Sequence, residues 1–163
     1  MIQGFISYAH YDRKAFEKML VRIKTIERAL SGQVDFWADS RMHAGDYWTD
    51  RVGQAIEHAQ VHLLLISAEF LASDYIARHE LPAINAKYLA GDLVIPIVLS
   101  GCLWEPFVGP LQAVPTFRGR VLPICDWSRR ENGFHTASWQ VLEAIKAHFG
   151  IVADAGLDWH RDD

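Results

Sequence analysis

The run Val61-His62-Leu63-Leu64-Leu65-Ile66-Ser67 constrains this chain more than any other stretch. It is apolar without alternating, the pattern of a strand buried on both faces, and it is far too short to span a membrane. A strand of that kind needs cover on each side, which in a parallel sheet comes from helices. The run breaks into a polar turn, Ser67-Ala68-Glu69, and continues through Ser73-Asp74-Tyr75 to a single acid, Glu80. Ligands of open parallel sheets sit beyond the carboxyl ends of the strands, so chemistry is expected near this point. Taken alone, an acid such as Glu80 is more often a solvated helix residue favoured by the helix dipole.

The remaining segments fit around that strand. Gly4–Tyr8 reads as a first strand, followed by a polar turn in which Asp12 is placed to cap a helix. Phe16, Leu20, Ile23, Ile26 and Leu30 recur at helical spacing and stop at Ser31-Gly32. Val34–Trp37 is a second strand, and a loop from Ala38 to Asp46 leads to a helix marked by Trp48, Val52, Ile56 and Ala59. After the central strand, a helix is expected as far as about Ala90. Pro82 should break it, because proline lacks the N–H and clashes with the carbonyl four residues back. The regular helix is therefore expected to begin, or to kink, near Glu80, with Glu80 itself exposed.

Leu93–Leu99 reads as a fourth strand whose Pro96 signals an edge or a bulge. Val121–Ile124 reads as a fifth, and Trp139, Leu142, Ile145 and Phe149 mark the apolar face of a last helix. Strands alternating with helices imply a flavodoxin-like three-layer α/β sandwich, with a five-stranded, mostly parallel sheet and helices on both faces. One domain over residues 1–150 is expected, with 151–163 a tail or the start of a linker.

Composition removes several function classes. The 163 residues carry 16 Lys+Arg against 20 Asp+Glu, and no basic run suggests nucleic-acid contact. Cys102 and Cys125 are too few for a disulfide framework, the start lacks a signal-peptide pattern, and no apolar run is long enough for a membrane helix. A cytoplasmic location without membrane contact is the expectation. Eight histidines are present, but none sits at metal-ligand spacing from another His or Cys on one element, so no metal is expected. Ser7-Tyr8-Ala9-His10 lacks the glycines of a dinucleotide fingerprint, and there is no P-loop. Ser7 and Ser67 stand where a phosphoacceptor receiver would need acids.

Several motifs in order carry a resemblance. Phe5-Ile6-Ser7-Tyr8 precedes His10 and Asp12; Phe36-Trp37-Ala38-Asp39 leads to Gly45-Asp46 and Trp48; Leu64-Leu65-Ile66-Ser67 precedes Phe70–Tyr75 and Glu80-Leu81. From residue 4 to about 149 the chain resembles a Toll/interleukin-1 receptor (TIR) domain of the bacterial branch. The family contains both protein–protein adaptors and enzymes that cleave NAD at the nicotinamide glycosidic bond. The resemblance implies an NAD glycohydrolase with Glu80 as catalytic residue, yielding ADP-ribose or a cyclic variant; the alternative is a non-catalytic adaptor or scaffold. Ser7, Tyr8, His10, Asp39, Gly45, Trp48, Ser73 and Tyr75 would make up the substrate-binding set. NAD would be substrate, with no separate cofactor.

The Ser40–Asp46 segment matches the family's BB loop, through which domains self-associate. A fused or separate sensor domain would trigger the enzyme, in keeping with a bacterial immune or antiphage effector. Two departures stand out: many relatives have tryptophan and cysteine where this chain has Tyr75 and Ile76, and Pro82 follows the glutamate closely.

Overall fold

A single parallel sheet of four strands, in the order β2-β1-β3-β4, organises the molecule. The computed structural model describes residues 1–38, 48–152 and 155–159, the side chains of Trp48 and Thr49 excepted. The strands are β1 (Ile2–Ser7), β2 (Val34–Ala38), β3 (Val61–Ile66) and β4 (Leu93–Val98). Every residue of β3 is buried, as its unbroken apolar run requires.

Helices cover both faces. On one side α1 (Arg13–Ala29) and α6 (Arg130–Phe149) pack over Ile6, Leu63, Leu65, Ile95 and Ile97. On the other, α2 (Trp48–His58), α3 (Ala68–Ala72), α4 (Leu81–Leu89) and α5 (Glu105–Val108) lie on the face carrying Phe5, Leu64, Ile66, Val94 and Val98. This is the flavodoxin-like α/β arrangement with one strand fewer than expected. The buried stripe of α6 also differs from expectation. It runs through Phe134, Ala137, Val141 and Ile145, with Leu142 and Phe149 at its margin. Trp139 points outward and is 54% exposed.

The missing fifth strand has a local cause. Thr116–Phe117 (β5) and Arg120–Val121 (β6) pair with each other as a small antiparallel hairpin. Its two-residue turn, Arg118-Gly119, has positive φ at both positions, which matches the twist of a tight hairpin. Pro123 then has no N–H to give to a ladder, and Ile124–Asp126 closes into a 3-10 turn. The outer edge of β4 is covered instead by short contacts. Val114 N–H donates to Pro96 O at 2.9 Å and Val114 O accepts from Val98 N–H at 2.8 Å, while Cys125 N–H donates to Leu99 O at 2.9 Å. Pro96 thus turns its missing donor toward the sheet edge, where it costs no ladder bond.

The connection after β3 determines what reaches the end of the sheet. Ser67 caps α3 by accepting from Phe70 N–H at 3.0 Å, and Ser73 Oγ accepts from Ile76 N–H at 3.3 Å. Ile76–Glu80 then forms a single π-helical turn in which Leu81 N–H reaches back five residues to Ile76 O. Regular helix resumes at Leu81, with Pro82 in its first turn. The helix does not begin at Glu80 but runs through it from Asp74, and the irregularity expected there takes the form of a widened turn. The extra residue lets Pro82 sit at a helix start, where its absent N–H is tolerated.

Candidate active site

The carboxyl ends of β1 and β3 open into a cleft of about 440 Å³, lined by Tyr8, Ala9, His10, Tyr11, Glu69, Ser73, Tyr75, Ile76 and Glu80. One wall comes from the chain just after β1, the other from α3 and the π-turn. A larger groove of about 950 Å³ follows the amino-terminal half of β4, between the β5–β6 hairpin and α6. It lies away from the carboxyl ends of the strands. The smaller cleft occupies the position where open α/β sheets bind ligands.

Glu80 is the unusual group in this wall. Ile76, Glu80 and Ile84 recur every four residues and are all buried, so the acid occupies a core-facing place in an apolar stripe. Only 4% of Glu80 is exposed, which corrects the expectation of a solvated acid. Ser7, the last residue of β1, donates from Oγ to Glu80 Oε1 at 3.0 Å. Burying a carboxylate costs free energy unless hydrogen bonds or charges compensate, and Ser7 supplies one such bond. The four-residue spacing of Ile76, Glu80 and Ile84 was the sequence signal that an acid had been placed inside.

The other expected residues fall into separate groups. Ser7 is buried beneath the cleft, against Glu80, and does not line it. The Tyr8 ring stacks on Phe16 at 4.0 Å with planes 4° apart, so it belongs to the core while bordering the cleft. His10 is exposed and meets Tyr8 edge-on, and Tyr75 lies 5.0 Å from the His79 ring. Ser73 combines two roles, bordering the cleft and bonding Ile76 N–H. Trp48 begins α2, but its side chain, like Asp39, Gly45 and the rest of 39–47, lies outside the described residues.

Sequence reading missed Tyr11 and Glu69, which line the cleft, and it misassigned Asp12. Asp12 makes no capping bond to α1; it accepts a hydrogen bond from Ser67 Oγ and so ties the end of β1 to the end of β3. Burial pushes the Asp12 carboxyl up, with the Glu69 charge adding to it, against the lowering effect of Ser67. Cys102 is likewise pushed up, first by burial and then by the charges of Asp12 and Glu69, which keeps it a thiol and a poor nucleophile. Among the described residues, no group of three or more His, Cys, Asp or Glu could hold a metal ion. No described helix is long and apolar enough to cross a membrane.

A second polar cluster sits at the opposite, amino end of the sheet. His62 is fully buried, its Nε2 lies 3.0 Å from Asp92 Oδ2, and Lys87 Nζ approaches the same oxygen at 3.4 Å. Burial holds the imidazole below its usual value despite Asp92.

Comparison with known proteins bears on this arrangement. The sequence model described as TIR domain matches residues 5–134. An uncharacterized protein of Sinorhizobium fredii is 33% identical over 151 residues, 91% of this chain. The chain spans 44% of the length of that bacterial relative. Among solved structures, the TIR domain of a Toll-related receptor from Hydra magnipapillata is 19% identical. It covers 86% of this chain and 97% of its own, with a TM-score of 0.49.

Proposed function

The chain belongs to the TIR domain family, and we propose that it is one of the family's enzymes, an NAD glycohydrolase whose catalytic group is Glu80. The observation that carries this reading is the buried carboxylate at the cleft wall, held by Ser7. A structural role alone would favour an apolar side chain in the Ile76–Ile84 stripe, because replacing a buried charge with a well-packed apolar group is often neutral or stabilising. An acid kept there serves a reaction that needs a fixed negative charge.

Cleavage of NAD is such a reaction. The bond between ribose C1′ and the pyridinium nitrogen breaks, and its electron pair goes to the nitrogen, so nicotinamide leaves as a neutral ring. No general acid is required. Positive charge moves onto the ribose, which becomes oxocarbenium-like, and a preorganised carboxylate stabilises it most at the transition state. Water then adds its oxygen to C1′ and releases a proton, giving ADP-ribose; attack by the adenine of the same molecule would give a cyclic product. Ser7 fixes the carboxylate's orientation, and the aromatic side chains of Tyr11 and Tyr75 border the cleft, where a flat ring would stack.

The cleft is near the low end of the roughly 300–1,000 Å³ usual for ligand pockets. It suits the nicotinamide riboside half better than a whole dinucleotide. Self-association is general among TIR domains, and the family resemblance assigns the Ser40–Asp46 segment, outside the described residues, to the contact between copies that would receive the remainder of NAD. A sensor part, fused or separate, would then control activity through local concentration, in the cytoplasm and in a defence setting.

Incubating the chain with NAD, dilute and artificially clustered, and measuring free nicotinamide tests this. Release by the wild type and none by Glu80→Gln is expected. Absence of release under every condition would leave the adaptor reading standing.

A further inference from the structure

We propose that Glu69 determines specificity in this cleft, selecting a cationic pyridinium ring with a neutral carboxamide over the analogue that bears a carboxylate. The inference rests on the glycohydrolase reading and goes beyond it by assigning a residue to the leaving ring.

Geometry comes first. The ring is bonded directly to ribose C1′, so a ribose served by Glu80 places its ring in the same cleft. Among the described residues lining that cleft are two carboxylates, Glu69 and Glu80, and no Lys or Arg. Apart from Ile76, the remaining large groups are aromatic: Tyr8, His10, Tyr11 and Tyr75, with the Tyr8 ring itself stacked on Phe16. Tyrosine faces attract cations through the ring quadrupole, which favours a charged pyridinium here independently of the acids. Tyr11, 78% exposed, stands at the lip where an entering ring would meet it.

The two acids differ in a way that separates their roles. Glu80 is buried and bonded to Ser7, whereas Glu69 is exposed in the first turn of α3. The field of Glu69 nevertheless acts across this end of the sheet, because it adds to the upward shift of both Asp12 and Cys102. A ring entering the cleft carries its positive charge in the ground state and loses it as the bond breaks. Attraction to Glu69 therefore strengthens binding more than the transition state and belongs mainly in KM. Exchanging the carboxamide for a carboxylate cancels the ring's net charge and sets two anions close together. In a partly screened cleft such repulsion is worth about tenfold in affinity. A bland role for Glu69, as an acid favoured at a helix start, would be indifferent to the substituent on the ring.

The test compares initial rates on NAD and on nicotinic acid adenine dinucleotide for the wild type and Glu69→Gln, with melting temperature recorded for both. The wild type is expected to favour NAD by about tenfold in kcat/KM, mostly through KM. Glu69→Gln should shrink that preference severalfold and raise KM for NAD without lowering kcat, with melting unchanged. Equal preference in the two proteins, with both substrates cleaved, would overturn the assignment while leaving the glycohydrolase reading intact. A collapse of kcat on both substrates in the variant would overturn it too, by giving Glu69 a different task. No cleavage of either dinucleotide by the wild type would remove the underlying reading and this inference with it.

Discussion

Ser7 Oγ donates to Glu80 Oε1 at 3.0 Å, joining the last residue of β1 to the last residue of the π-turn across 73 positions of sequence. Both side chains are buried, so the bond is shielded from competing water. Removing the donor tests how far the carboxylate depends on it. Ser7→Ala should destabilise the fold by about 1–3 kcal/mol, the usual cost of leaving a buried polar group short of a partner. Nicotinamide release should fall by more than tenfold, since the carboxylate loses its fixed direction. Denaturant melts alongside kcat would check both, and full activity in Ser7→Ala would remove Ser7 from the positioning of Glu80.

Glu80→Gln should separate stability from function. The amide retains the size and an acceptor for Ser7, while the buried charge and its desolvation cost disappear. Stability is expected to hold within about 1 kcal/mol of wild type, or to rise. Nicotinamide release should drop by about a hundred- to a thousandfold, the scale seen when a preorganised electrostatic group is removed. A well-folded variant with near-normal turnover would show that the carboxylate is not the catalytic group.

Pro82→Ala examines the widened turn. Proline at this position cannot bond Arg78 in a regular helix, which favours the five-residue turn from Ile76 to Glu80. Alanine restores the N–H and makes an ordinary α-turn accessible, which would rotate Glu80 away from Ser7. Activity should fall severalfold with little loss of stability. Unaltered kinetics would mean that packing of Ile76 and Ile84 holds the π-turn without help from the proline.

His62 gives a pH dependence remote from the cleft. Its folded value lies below the ordinary 6.5, chiefly through burial, with Lys87 adding to the lowering and Asp92 opposing it. The unfolded chain therefore takes up this proton first as pH falls. Stability from His62 is complete above about 6.5 and declines as pH drops from there through the depressed folded value. Asp12 works in the opposite sense and in a lower window. Its folded value is raised above 3.8, so its contribution weakens as pH rises through that window. His62→Gln keeps a donor for Asp92 and cannot titrate. Its melting temperature should fall less than wild type's between pH 6.5 and 5, and parallel curves would exclude His62 as the cause.

The amino-acid sequence determined the layering by itself. An unbroken apolar run from Val61 to Ile66 can be satisfied only by cover on both faces, and helical spacing in Phe16, Ile23 and Ile26 supplied part of that cover. Proline effects were legible for the same reason: a missing N–H is a local property, so Pro82 announced an irregular turn near Glu80, though not that the helix would run through it, and Pro96 an edge. The fate of Val121–Ile124 was not legible, because joining the sheet depends on competition between β4 and the nearer Thr116–Phe117. Nor could Asp12 be told from a helix cap until the end of β3 brought Ser67 beside it. The burial of Glu80 was the largest decision left to the tertiary structure. Whether a carboxylate is solvated or held dry depends on which side chains surround it, and Ser7 becomes its partner only because β1 and β3 are neighbours.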